Sequence, residues 1–194
     1  MDNMLYGIVR RIGIVLMTAV GCSMLVSCSV PVVRRVPSVI EQVKAKELLI
    51  SGAKALDDDQ LEVAAAAFRM SQQLVPSAEA WDGLGCIALL KGHLERAEAM
   101  FFRAVDTDGG YYNVYSNLAL LELARGAIPE AKFYFRKSLA NDRLNFRSRS
   151  NYAILKRILG EPGSLEMAEE GLAIGGNDKT RLLVKKLKEM GKYD

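Results

Sequence analysis

The chain carries few residues able to do covalent chemistry, and none in a spacing that would activate them. It has one histidine, His93, and three cysteines, Cys22, Cys28 and Cys86. A nucleophile needs a base within hydrogen-bond reach and a metal needs several clustered ligands. His93 follows Gly92 in what reads as an exposed turn, with neither nearby. No H-E-x-x-H, C-x-x-C, phosphate-binding loop or G-x-S-x-G occurs. Asp106-Thr107-Asp108-Gly109 opens like a calcium loop but lacks the third acid and the closing glutamate, and Asp57, Asp58 and Asp59 read as solvated turn acids. No enzyme, metal or cofactor reading is supported, which leaves recognition by shape and charge. The formal net charge is only +3, but from Lys132 to Arg157 the bases Lys132, Arg136, Lys137, Arg143, Arg147, Arg149, Lys156 and Arg157 face a single acid, Asp142. Such a stretch is either a solvated face or a surface for an acidic segment or anionic headgroups. Basic residues interleaved with aromatics are missing, so nucleic acid is not expected as a partner.

The elements that would position these charges follow from a period. Gly92, Gly126 and Gly160 stand 34 residues apart. Trp81-x2-Leu84-Gly85 returns as Tyr115-x2-Leu118-Ala119, and Ala97-x3-Phe101-x2-Ala104 returns as Ala131-x3-Phe135-x2-Ser138. Small residues at these places let two helices approach closely, while Trp81, Phe101, Tyr115 and Phe135 fill the space between units at helical spacing. A single helix pair would leave one apolar face wet, and stacking buries it. The spacing predicts units at 45–77 (Gly52, Ala64, Phe68, Ser71, Pro76), 78–111, 112–145 and a degenerate 146–179. In the last, an insertion at Glu161-Pro162-Gly163 precedes Ser164 as N-cap, with Ala168, Leu172 and Gly175 following. Lys179 to Met190 then reads as a capping helix, apolar at Leu182, Leu183, Leu187 and Met190, and 180–194 as cap and tail.

A 34-residue unit with W-x2-L-G followed by A-x3-F resembles the tetratricopeptide repeat. The resemblance implies an all-α solenoid of three to four helix-turn-helix repeats, with an inner face that binds other proteins. In that family the second, fifth, sixth, ninth and twelfth positions of each first helix line the groove. Carried onto this chain these include Glu79, Asp82, Cys86 and Leu89, then Asn113, Ser116, Asn117, Leu120 and Leu123, then Arg147, Ser150, Asn151, Ile154 and Arg157. The amides of Asn117 and Asn151 could bond the backbone of an extended peptide, or could instead tie neighbouring helices together. Arg147 is placed to meet a carboxylate. The set only partly resembles the clamp that holds chaperone C-termini, because Asp82 and Cys86 stand where the clamp has a cation and an asparagine, and Asn151 replaces a second cation. Cys86, alone on a first helix, reads as a small buried or groove-facing residue.

The first residues are of another kind. Arg10 and Arg11 precede an apolar run from Ile12 to Val26, which has the length of a signal-peptide core and is short for a transmembrane helix. An uncleaved anchor extending to Val33 is the competing reading. Leu25-Val26-Ser27-Cys28 resembles a bacterial lipobox, which implies a signal peptide at 1–27 and acyl chains on Cys28. Ser29 after it implies, by the same resemblance, the outer membrane. Residues 28–44, with Pro31 and Pro37, read as a tether. A small tetratricopeptide lipoprotein resembles the Tad (Flp) pilus lipoprotein and type IV pilotin families, implying an adaptor whose partner is a secretin or another envelope assembly component. An adaptor recruiting peptidoglycan hydrolases or proteases would use the same fold.

Overall fold

The computed structural model describes residues 35–190; the segment read as a signal peptide, Cys28 and the last four residues lie outside this range. Among the described residues there are nine helices and no strand. They are α1 (Val39–Asp57), α2 (Leu61–Leu74), α3 (Ala78–Leu90), α4 (Leu94–Thr107), α5 (Asn113–Ala124), α6 (Ile128–Asn141), α7 (Phe146–Ile158), α8 (Ser164–Gly175) and α9 (Asp178–Met190). None is long and apolar enough to cross a membrane.

Local chemistry explains where these helices start and stop. Ser38 and Glu41 form a reciprocal capping box ahead of α1, with the Ser38 amide donating to Glu41 Oε2 at 2.8 Å. Ser77 caps α3 through the Ala80 amide at 3.2 Å, and Asn145 caps α7 through the Ser148 amide at 2.9 Å. Each pair turns on a left-handed residue: Gly92 at φ 73°, Gly126 at 78° and Gly160 at 66°. The residue after it donates back into the first helix, as His93 does to the Ala88 carbonyl at 2.9 Å. In the first pair Asp59 takes this conformation at φ 59°, a place that aspartate tolerates better than most side chains.

Packing repeats with the sequence. Phe101 and Phe135 are fully buried, each with the Ala at its helix start, Ala97 or Ala131, also sealed from solvent. A Cβ added at Gly85 would come within 2.5 Å of the Phe101 ring, and one at Gly83 within 2.5 Å of Phe68. The glycines are therefore the notches that receive the aromatic of the second helix. Four apolar clusters follow one another along the chain, the last joining Ala153 and Ala168 to Val184 and Leu187 of α9.

Three expectations need correction. Helix α1 begins at Val39, inside the segment read as tether, because the capping box at Ser38 starts the helix before the sequence period becomes legible. Ser164 is the first residue of α8 and not its cap; Gly163, at φ 80°, holds that place. In α9 the buried stripe is Thr180, Val184 and Leu187, while Leu182 and Met190 are exposed. Leu183 and Leu187 of the expected set do pack in the last cluster, and contact with Ala153 and Ala168 brings in Val184 where Leu182 was expected.

Candidate functional site

Helices α1, α3, α5 and α7 touch in succession, whereas contact between second helices is slight or absent. The first helices therefore form the inner wall, and their exposed positions define a groove.

Asp82 organises the middle of that wall. It is 7% exposed, accepts from the Asn117 amide at 2.8 Å through Oδ1, and from the Tyr111 hydroxyl at 3.0 Å through Oδ2. Burial pushes its carboxyl up to about 6; the two hydrogen bonds and the Arg147 charge act the other way, and Glu79 adds to the rise. The same burial, with Asp82 close by, raises the Tyr111 hydroxyl and the Cys86 thiol. Cys86 thus stays a protonated, half-buried thiol with no thiolate character. Asn117 ties α5 to α3 through this bond. Tyr111 was not found from the repeat positions because it lies in the connection before α5. The signal was available, since Tyr111 stands 34 residues before Asn145.

The next junction, between α5 and α7, has the same layout with different residues. Ser116 replaces Asp82, Asn151 replaces Asn117 and Asn145 replaces Tyr111, each 34 residues on. The hydroxyl cannot reach as a carboxylate does. Ser116 is 5% exposed, and its Oγ is a buried polar atom with no hydrogen-bond partner. The Asn145 amide goes instead to Asn113 Oδ1 at 2.8 Å. Among the described residues Asn151 makes no side-chain hydrogen bond, and the exposed Arg147 makes neither a hydrogen bond nor an ion pair. Ile154, exposed on the same helix, lies one turn beyond Ser150.

The remaining groove positions are less open. Leu120 and Leu123 pack against the cluster around Ala119 and Phe135, so they build the wall. Ser150 is buried, donating to the Phe146 carbonyl and lying 3.3 Å from the Thr180 hydroxyl. At the N-terminal end the groove opens into a cleft of about 550 Å³ lined by Leu49, Ile50, Val75 and Glu79 among others. The basic stretch is mostly engaged within the chain. Lys132 pairs with Glu161 and Arg149 with Glu170, Lys137 lies 4.2 Å over the Tyr115 ring, and Arg136 donates to the Tyr152 hydroxyl at 3.3 Å. His93 is exposed at the start of α4, and Asp108 caps its end, accepting from Gly110 at 2.8 Å.

Helix pairs in this order, with glycine-aromatic notches and an inner wall of first helices, define a tetratricopeptide-repeat solenoid. Solved structures agree on the fold. The chain is similar to PilF of Pseudomonas aeruginosa, at 17% identity over 79% of this chain and 71% of that one, with a TM-score of 0.62. It is similar also to a thermophilic tetratricopeptide-repeat protein of Thermus thermophilus, at 17% identity over 76% and 83%, with a TM-score of 0.66. With the Cut9–Hcn1 hetero-tetramer of APC/C it shares 19% identity over 75% of this chain and 31% of that one, at a TM-score of 0.62. No protein-family model matches the chain, and no curated protein does.

Proposed function

We propose that this protein is a lipid-anchored adaptor whose groove holds an extended segment of another envelope protein, and that an acidic side chain of that segment docks at the α5–α7 junction. The observation that carries the reading is the buried, unpartnered Ser116 hydroxyl at the place where Asp82 satisfies the preceding junction, on a wall that also carries Asn151 and the exposed Arg147, whose charge already acts on Asp82. A partner carboxylate there would accept from Asn151 and Ser116 and meet Arg147, as Asp82 accepts from Asn117 and Tyr111. Ile154 offers it an apolar neighbour. Leaving a buried polar group unmatched costs about 1–3 kcal/mol, so a ligand that matches it gains affinity, and the Arg147 charge is what favours an acid over an amide.

The anchor is acylated Cys28, the location the periplasmic side of the bacterial outer membrane, and the machine a Tad-type pilus or a secretin assembly. The resemblance of Leu25–Cys28 to a lipobox and of the whole chain to small tetratricopeptide lipoproteins supports this; the likeness to PilF adds the fold alone. No catalysis is assigned, and His93→Ala combined with Cys86→Ala should leave the phenotype intact.

The test is photo-crosslinking in cells through a probe at Ile154. The expected product is a secretin or pilus component, lost in Arg147→Glu while the protein level stays constant. Crosslinks to peptidoglycan hydrolases or proteases would move the assignment to the recruiting adaptor. Crosslinks indifferent to Arg147→Glu would overturn the site.

A further inference from the structure

Helix α1 is apolar on two opposite sides. Ala45, Leu49, Gly52 and Ala55 face the core. On the outer side Val39 is 74% exposed, Ile40 79% and Val43 53%. Exposed Lys44 lies next to them; Lys46, which also lines the cleft at the N-terminal end of the groove, and Lys54 follow along the helix, and Glu47 and Asp57 are the exposed acids on that side. No other described helix places three exposed aliphatic residues within five positions. A solvated helix has no use for such a cluster, whereas exposed aliphatic side chains with lysines on the same helix are a composition that suits a membrane interface.

We infer that the outer face of α1 rests on a phospholipid bilayer, with Val39, Ile40 and Val43 in the interface and the lysines among anionic headgroups. The inference rests on the anchoring at Cys28 proposed above. Val39 follows Cys28 by 11 residues, a stretch of at most about 40 Å, so an acylated chain holds α1 beside the surface at high local concentration. A second copy fits less well. Three aliphatic side chains make a patch far smaller than the roughly 800 Å² per partner that a stable dimer buries. For a helix already tethered by acyl chains, a small patch is enough to orient it.

The experiment uses the full chain with Cys28 intact and acylated. Val43→Cys, and Leu182→Cys on α9 as the far-end reference, are each made with Cys86→Ala and labelled with an environment-sensitive fluorophore. The proteins are reconstituted in vesicles of phosphatidylethanolamine and phosphatidylglycerol containing doxyl-labelled lipid. Position 43 should be quenched several-fold more than position 182. Adding Val39→Glu should abolish that excess without changing Tm, because residue 39 is exposed. Equal quenching at both positions, with the protein still on the vesicles, would overturn the inference while leaving the anchor standing. Quenching at 43 that disappears on dilution with unlabelled protein would show a second copy on the face, and would overturn it too. Failure to stay with the vesicles, matched by release of the cellular protein to the same degree as Cys28→Ser, would remove the anchor and the inference together.

Discussion

At the α3–α5 junction the Asp82 carboxylate collects the Tyr111 hydroxyl and the Asn117 amide; at the α5–α7 junction Ser116 stands in its place, with its hydroxyl buried and unmatched. Thirty-four residues separate each equivalent pair, and the helices that carry them are packed on equivalent aromatics. The difference of a carboxylate against a hydroxyl turns a closed brace into an open one. Repeat symmetry thus sets where a side chain stands, while its length and charge decide whether it serves the fold or remains available to a partner.

The largest effect tests whether the two junctions do share a common base. Phe101→Ala and Phe135→Ala should each cost about 3–5 kcal/mol in urea unfolding, and by similar amounts. A marked inequality would mean that the core, and not the polar layer, distinguishes the junctions. Next comes the pH dependence that only the closed junction has. Asp82 titrates near 6 in the folded chain against 3.8 normally, so the native state binds the proton more tightly than the unfolded one. Its stabilising contribution is complete below about pH 4 and is lost as the pH rises through 6. At about 1.36 kcal/mol per pKa unit the loss is on the order of 3 kcal/mol. Asp82→Asn should flatten this dependence in denaturation series from pH 4 to 7.5; an unchanged slope would mean that another group is responsible.

A smaller contrast lies in the amides. Asn117→Ala strands a buried carboxylate and should cost about 1–3 kcal/mol, whereas Asn151→Ala should stay within about 0.5 kcal/mol, as surface changes do. Equal losses would show that Asn151 braces the helices as Asn117 does. The last contrast is Ser116→Asp, which supplies the missing carboxylate. It should shift Tm by only a few degrees, yet abolish the crosslink through Ile154 by occupying Asn151 and Arg147 from within.

Much of the fold was legible in the sequence because its determinants are local and repeated. Gly85 and Phe101, and Ala119 and Phe135, declare the notch and its filler in the two middle units. The first unit was harder to bound, since Asp59 takes the turn position that glycine holds elsewhere and Ser38 starts α1 ahead of the period. In the capping helix Leu183 and Leu187 of the expected stripe do pack, but only the packed partner distinguishes the exposed Leu182 from the buried Val184. At the groove the positions came from the repeat, but the fate of each side chain did not. Asn117 and Asn151 look alike in sequence, and what separates them is the residue 35 positions earlier on the adjoining helix.

The most direct test follows the side-chain amides of Asn117 and Asn151 by NMR while a capped Ala-Asp-Ala peptide is added, with capped Ala-Asn-Ala as the control. The Asn151 amide, with Ser116 and Arg147, should shift on adding the aspartate peptide and not the asparagine one, while Asn117 stays still. Equal shifts of both amides, or none at Asn151 at saturating peptide, would contradict the division of the groove into a closed and an open junction.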